Sequence, residues 1–103
     1  MAKIELNRLK QEKELRKATR SIKSMAHPLR LKILCALNTE QLPVHEVVSR
    51  VGSSQSNVSQ HIDRLRREDI VDSVRVKNEV ICKIKNPKVI DFIKEIKNTF
   101  CFR

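Results

Sequence analysis

The stretch GSSQSNVSQHIDRLRRE, residues 52–68, decides the fold. Gly52 suits the left-handed position at which one helix ends, and Ser54 can cap the helix that follows. Apolar residues recur in this following helix with helical spacing and predict a buried face formed by Val58, Ile62 and Leu65. The opposite face carries polar and basic side chains, namely Ser56, Gln60, Asp63, Arg64 and Arg67. The stretch therefore predicts a turn and an amphipathic helix from about Gln55 to Glu68.

Three further helices are predicted before this stretch. The first runs from about Lys3 to Met25, with an apolar stripe formed by Leu15, Ala18, Ile22 and Met25. The second begins at Pro28, because proline fits the first turn of a helix, and its apolar residues are Leu29, Ile33, Leu34 and Leu37. A third, short helix opens at Pro43 and ends at Gly52, and its apolar residues are Val44, Val47, Val48 and Val51.

Two strands and a last helix are predicted after it. The runs Ile70–Val76 and Val80–Ile84 are rich in β-branched residues, and the segment Lys77-Asn78-Glu79 between them fits a hairpin. Pro87 starts the last helix, whose apolar side is formed by Val89, Ile93, Ile96 and Phe100. The predicted fold class is therefore mainly α with a short β-hairpin, in the order α-α-α-α-β-β-α.

The composition predicts a single basic domain that spans residues 1–103. Its 22 Lys and Arg residues against 12 Asp and Glu give a net charge of +10, so we expect a polyanion as partner. Composition alone leaves open nucleic acid, an anionic membrane and a surface that is merely well solvated. The sequence lacks a transmembrane segment and the apolar core of a signal peptide, so we expect a cytoplasmic protein without a membrane partner.

The order of the predicted elements favours nucleic acid. Two short helices joined at residues 52–54 and followed by a hairpin that carries Arg75, Lys77 and Asn78 are typical of a winged helix-turn-helix. Small polar side chains on the second helix can reach base edges in the major groove, while arginines neutralise phosphates. A single amphipathic helix is more often the solvated face of a bundle, but a bundle has little reason to combine all these features. We therefore expect binding to double-stranded DNA.

Two motifs resemble a known family. MAHPLRLKIL, residues 25–34, and SQSNVSQHI, residues 54–62, are similar to motifs of the ArsR/SmtB repressors, and the resemblance covers nearly the whole chain. It implies a transcriptional repressor whose first and last helices, about residues 3–25 and 87–102, form a two-fold homodimer. The apolar stripes of these helices independently favour self-association, and a two-fold dimer suits an operator with an inverted repeat.

The resemblance also implies which residues contact the operator. Those of the recognition helix are Ser56, Asn57, Ser59, Gln60 and His61, and those of the wing are Arg75 and Lys77. The basic residues Arg64 and Arg67 on the polar face of the helix complete the predicted DNA-binding set. The chain departs from the family at Asp69 and in the wing turn, where relatives usually have glycine. Asn78 can adopt the left-handed conformation in place of that glycine.

A metal sensor of the usual type is not expected. Where the metal-sensing third helix of relatives carries Cys-x-Cys, this chain has Pro43-Val44-His45, and the ligand positions of the last helix hold Asn86, Lys88, Thr99 and Phe102. Zinc and soft metals require thiolate, imidazole or carboxylate ligands, which these residues do not supply. We therefore expect neither metal nor other cofactor, with His27 as a helix cap and His45 on the surface.

The cysteines are the predicted sensing residues. Cys35 and Cys101 match the BigR/HlyU-like dithiol subgroup of the resembled family, which implies release of DNA when reactive sulfur species or oxidants bridge the two thiols. Without that resemblance, a buried filler at Cys35 and an inert thiol at Cys101 would be the better interpretation. In that alternative the repressor responds to another inducer. Cys82 is expected in the core or on a surface strand.

A different class of function is a small thiol enzyme that uses Cys35 or Cys101. The chain has no CxxC motif, and neither cysteine has a histidine or arginine beside it in the sequence to activate a thiolate. We therefore expect a protein that is not an enzyme. A third class, an architectural protein that coats DNA, predicts binding without sequence preference.

Overall fold

The computed structural model describes residues 2–100 and Phe102. In these residues the elements follow one another as α1 (Lys3–Met25), α2 (Pro28–Ala36), β1 (Leu42–Pro43), α3 (Val44–Val51), α4 (Gln55–Arg67), β2 (Val71–Val76), β3 (Glu79–Ile84) and α5 (Pro87–Phe100). The fold is a winged helix-turn-helix, mainly helical with a small antiparallel sheet, which confirms the predicted fold class. The helix-turn-helix comprises α3 and α4, and β2 and β3 form the wing.

The helix ends show why the chain turns where it does. His27 Nδ1 accepts the N–H of Leu29 at 3.1 Å at the start of α2, so the predicted capping role of His27 is confirmed. Ser54 Oγ accepts the N–H of Asn57 at 3.1 Å and caps α4. At the end of α3, Gly52 has a left-handed φ of 70°. The backbone of Gly52 and the cap at Ser54 together fix the short turn between α3 and α4.

The core lies where the helices meet the inner face of the sheet. Its fully buried large side chains include Ile33 and Leu34 of α2, Leu65 of α4 and Ile93 of α5. The predicted inner face of α4 is buried, since Val58, Ile62 and Leu65 are at most 4% exposed. This apolar face attaches α4 to the core and leaves its opposite face to solvent.

The sheet contains a strand that the sequence does not predict. β1 pairs antiparallel with β3, which gives the strand order β1-β3-β2 and places Pro43 opposite Ile81. The short third helix therefore begins at Val44, with Pro43 as its N-cap, rather than at Pro43 itself. Through β1 the sheet is joined directly to the start of the helix-turn-helix.

The wing turn differs from the predicted one. β2 ends at Val76 and β3 begins at Glu79, so the turn has two residues rather than three. The left-handed residue is Lys77, with a φ of 57°, and not Asn78. A two-residue hairpin commonly requires a positive φ at its first turn residue, which is Lys77 here. Asp69, where relatives usually have glycine, also adopts a positive φ, of 58°.

The two terminal helices keep apolar side chains exposed. On α1 these are Ile4, Leu6, Leu9, Leu15 and Ile22, and on α5 they are Phe92 and Phe100. Of the apolar stripe predicted on α1, only Met25 is buried within the chain. One copy of the chain therefore leaves the apolar stripe of α1 largely uncovered. On α5 the predicted apolar side is divided, because Ile93 is buried, Val89 and Ile96 pack against the core, and Phe100 is exposed. Among the described residues, no helix has the length and apolar character needed to cross a bilayer.

Candidate functional site

The outer face of α4 presents a polar and basic surface. Ser56, Gln60, Arg64 and Arg67 are all exposed on this face, opposite the residues that attach α4 to the core. Helix α4 carries three arginines in its last turn, Arg64, Arg66 and Arg67. Hydrogen-bonding groups near the start of the helix and cations near its end are suited to base edges and phosphates, respectively.

Two other predicted contact residues are partly engaged within the chain. Asn57 is exposed, but its Nδ2 donates to Ser53 Oγ at 3.4 Å, and its backbone N–H is held by the Ser54 cap. Ser59 is half-buried and lines a cleft between α4 and the wing. Ser56 and Gln60 are therefore the more accessible side chains at the start of this surface.

The structure places His61 against α2 rather than in open solvent. The ring is half-buried, and its Nδ1 lies 3.0 Å from Nη1 of Arg30. The Nε of Arg30 donates to the backbone carbonyl of Ser24, which is completely buried in the last turn of α1. The ring of His27 packs beside that of His61, with 4.5 Å between the ring centroids. Arg30 thus connects α1 to α4.

The protonation state of His61 follows from this contact. Arginine has only donors, so Nδ1 of His61 must accept, which requires a neutral ring with its proton on Nε2. Burial, followed by the positive fields of His27 and Arg30, lowers the pKa of His61. Burial and the neighbouring Arg64 likewise lower the pKa of Arg30. No sequence pattern predicts this cluster, because Arg30 lies 31 residues from His61.

The wing extends the basic surface and is attached to the helices on its inner side. The predicted contact residues Arg75 and Lys77 are both exposed. Arg66 of α4 donates to Ser73 Oγ of β2 at 2.9 Å. His45, on the surface as predicted, pairs with Glu79 of β3 at 3.0 Å. These two contacts connect the wing to both helices of the helix-turn-helix.

The predicted sensing thiol Cys35 lines a groove formed by α2, the end of α3 and Phe102. Cys35 is half-buried on α2, and burial raises its pKa while Lys97 partly opposes this effect. The groove has a volume of about 620 Å³ and is formed mainly by apolar side chains, among them Pro28, Leu31, Ala36, Val51 and Phe102. Cys101 lies outside the described residues, and its neighbour in sequence, Phe102, lines the same groove as Cys35.

The third cysteine, Cys82, lies in the core of the protein. Of the two positions predicted for Cys82, the core and a surface strand, the structure has the core: Cys82 is completely buried in β3, and burial raises the pKa of its thiol. Within residues 2–100 and Phe102, no three His, Cys, Asp or Glu side chains converge closely enough to hold a metal ion.

A helix-turn-helix with an exposed polar and basic face, followed by a basic wing, defines a class of DNA-binding transcription regulators. The sequence pattern described as "Bacterial regulatory protein, arsR family" matches residues 27–73, which include α2 to α4 and the start of the wing. The chain belongs to the ArsR family of winged helix-turn-helix transcriptional regulators.

Individual relatives agree with this assignment over most of the chain. The HTH-type transcriptional regulator YgaV of Escherichia coli is 38% identical over 78% of this chain and 82% of its own length. The structure of reduced HlyU from Vibrio cholerae superposes with a TM-score of 0.82 at 34% identity, covering 90% of this chain and 98% of the other. The transcriptional repressor BigR from Xylella fastidiosa superposes with a TM-score of 0.81 at 25% identity, covering 93% and 98%.

Proposed function

We propose that the chain is a homodimeric repressor that binds an operator with an inverted repeat. The observation that carries this proposal is the outer face of α4, where Ser56 and Gln60 are exposed beside Arg64 and Arg67. Ser56 and Gln60 would read base edges in the major groove, and the arginines would contact phosphates. In the wing, Arg75 and Lys77 would contact the flanking backbone or minor groove.

The dimer is proposed from the apolar side chains that α1 and the end of α5 leave exposed. Leu9, Leu15 and Ile22 of α1 are each at least half exposed, and Phe100 of α5 is 73% exposed. A two-fold axis that buries these side chains against each other would remove them from water. An operator with an inverted repeat suits such a dimer, and its half-sites should lie about 34–36 Å, or a multiple of this distance, apart.

Replacement of Gln60 tests the assignment of α4. Gln60→Ala should weaken binding to the operator by about 1–3 kcal/mol and reduce discrimination against altered half-sites, because a base contact is lost. Lys77→Ala should weaken binding to all duplexes similarly, because a phosphate contact carries no sequence information. Affinities for the operator and for a permuted duplex should be measured by fluorescence anisotropy.

The matched control for this experiment is Gln41→Ala, which changes an exposed glutamine between α2 and β1. It should leave both affinities unchanged. If Gln60→Ala folds normally and discriminates between duplexes as well as the unaltered chain, the assignment of α4 to the major groove is wrong.

We further propose that a bridge between Cys35 and Cys101 causes release of the operator. With a persulfide RSSH, one thiolate attacks the outer sulfur and forms a cysteine persulfide while RSH leaves. The second thiolate then attacks Sγ of the first cysteine, which breaks the S–S bond of the persulfide, expels HS⁻ and closes a disulfide. A further sulfur atom taken from a second RSSH would give a trisulfide. With peroxide, a sulfenic acid forms first and condenses with the second thiol, with loss of water.

The groove beside Cys35 supports this proposal. Its volume of about 620 Å³ lies in the range of small-molecule sites, so a persulfide of low molecular mass would fit. Phe102 lines the groove, and Cys101 precedes it in the sequence.

Single cysteine variants test the proposed switch. Reduced protein should bind the operator and protein treated with a persulfide or diamide should release it, while Cys35→Ser and Cys101→Ser should each stay bound after treatment. Cys82→Ala is the control and should respond normally, because Cys82 is completely buried. Mass spectrometry should find the bridge between Cys35 and Cys101 in the released form. If both single variants still release DNA, the thiols are inert and another inducer acts.

We also propose that the chain has no enzymatic activity. The raised pKa of Cys35 lowers the fraction of its thiolate at neutral pH, so the sulfur chemistry proposed above is slow and suits one bridge formed per protein molecule rather than rapid turnover. Multiple turnovers of peroxide or persulfide per protein molecule, without binding to any duplex, would contradict this proposal and favour a small thiol enzyme.

A further inference from the structure

We propose that Arg30 is a positioning residue for the recognition helix α4. Its guanidinium connects the buried carbonyl of Ser24 to the imidazole of His61, and so fixes α4 relative to the last turn of α1. In this arrangement His61 serves as the acceptor for Arg30 and does not read a base. Only the DNA-binding part of the test below rests on the proposed operator function.

Both side-chain contacts of Arg30 are made to groups of the protein, one on α1 and one on α4. Its Nε donates to the carbonyl of Ser24, and its Nη1 lies 3.0 Å from Nδ1 of His61. The Ser24 side chain is itself held, because its Oγ donates to the carbonyl of Ser21 at 2.7 Å. The planar guanidinium holds several donors in a fixed geometry, so one arginine can bridge two acceptors that belong to different helices.

The bridge restrains α4 at a flank beside its apolar stripe. Val58, Ile62 and Leu65 set which side of α4 faces the core, and Arg30 adds a polar contact at the neighbouring position of His61. The opposite flank is tied to the wing, where Arg66 donates to Ser73. With Arg30 on one flank and Arg66 on the other, the direction in which Ser56 and Gln60 point is fixed.

The charges around His61 explain why the bridge requires a neutral ring. On the α2 side it faces His27 and Arg30, and the same surface depression is lined by the α4 residues Asp63, Arg64 and Arg67. A proton on Nδ1 would remove the acceptor for Arg30 and place a positive charge among three arginines. Protonation of His61 therefore breaks the bridge.

The first test uses the free protein and nuclear magnetic resonance of its ¹⁵N-labelled histidines. At pH 7.5, His61 should show the Nε2–H tautomer with Nδ1 as an acceptor. In Arg30→Lys the charge is kept but one ammonium cannot span both acceptors, so the preference of His61 for the Nε2–H tautomer should weaken. The amide signals of α4 should shift in the same variant. If the tautomer and the α4 signals are unchanged by Arg30→Lys, the bridge does not position α4.

The second test compares two duplexes: one selected from a random-sequence pool by the unaltered chain, and a permuted version of it. Arg30→Lys should lower affinity for the selected duplex about tenfold, or about 1.4 kcal/mol, and leave affinity for the permuted duplex unchanged. An equal loss on both duplexes would instead make Arg30 a phosphate contact and overturn the proposal. Arg20→Lys, at an exposed arginine of α1, is the matched control.

Variants of His61 complete the test. His61→Asn presents an amide oxygen near the position of Nδ1 and should preserve affinity for the selected duplex, while His61→Ala should lose as much as Arg30→Lys. The double variant Arg30→Lys with His61→Ala should be no weaker than either single variant, because both remove the same bridge. Additive losses would show that the two residues act separately. If the unaltered chain selects no sequence from the pool, the operator proposal fails. The magnetic resonance experiment on the free protein then still shows whether Arg30 and His61 form the bridge.

Discussion

Lys77 has an unfavourable backbone conformation at the tip of the wing. A left-handed φ costs a residue with a side chain about 1–2 kcal/mol relative to its usual conformations, and Lys77 has a φ of 57°. The side chain is exposed and in the position proposed for a phosphate contact. The chain therefore has a lysine at a position whose backbone conformation glycine would adopt at a lower cost.

Replacement of this residue should separate folding from binding. Lys77→Gly should raise the free energy of unfolding by roughly 0.5 kcal/mol, since relief of strain exceeds the added entropy of the unfolded chain. The same variant should bind every duplex more weakly. Urea denaturation and anisotropy measure the two effects, and Asn78→Gly, at a residue without positive φ, should give no gain in stability.

The sequence predicted which contact residues are exposed, but it did not predict which side chains they contact within the chain. Spacing alone places Gln60 and Arg64 on the outer face of α4, because the helical period fixes which side faces the core. It could not place His61 against Arg30, because that contact depends on how α2 crosses α4. It also assigned the left-handed position to Asn78, because residue preference was considered without the length of the turn.

At the scale of elements, the bridge through Arg30 and His61 makes the attachment of α4 to α1 dependent on pH. The pKa of His61 is lowered from 6.5 in the folded chain, so folding favours the neutral ring. The stability that this ring contributes is therefore fully present above about pH 6.5, the value of an unperturbed histidine, and is lost as the pH falls toward the folded pKa.

We therefore expect the unaltered chain to lose stability between pH 7 and pH 5. His61→Asn, which cannot be protonated in this range, should show a shallower decrease. Thermal or urea unfolding followed by circular dichroism across this range provides the comparison. Parallel pH profiles for the two proteins would show that other groups determine the acid sensitivity.

Most elements could be predicted from the sequence, but β1 could not. The helices have apolar periodicity and clear ends, such as Pro28 and Gly52, so their bounds agree closely with the structure. β1 has only two residues, too few to show a period of two, and its partner β3 lies nearly forty residues further along the chain. Long-range pairing of so short a segment leaves no local signal.

At the scale of the whole molecule, charge dominates the expected behaviour. The chain carries +10, and a dimer carries twice that charge. If six or more phosphates are contacted, operator affinity should fall by about 10³-fold or more between 50 and 200 mM salt, because condensed counterions are released on binding. Anisotropy titrations at several salt concentrations measure how operator affinity depends on salt. Sedimentation at micromolar protein concentration shows whether the chain is a dimer. A complex insensitive to salt, or a monomer in sedimentation, would contradict the proposed mode of binding.

The order of the strands leaves β1 and β2 at the two edges of the sheet. An unpaired edge can recruit strands from other molecules and start aggregation, and β2 exposes Val74 and Val76 along its length. On β1 the edge is only two residues long and includes Pro43, which has no N–H to donate. On β2 the repulsion between copies of Arg75 opposes pairing of two wings. The same cation that we assign to DNA contact thus protects the free protein from fibril-like self-association.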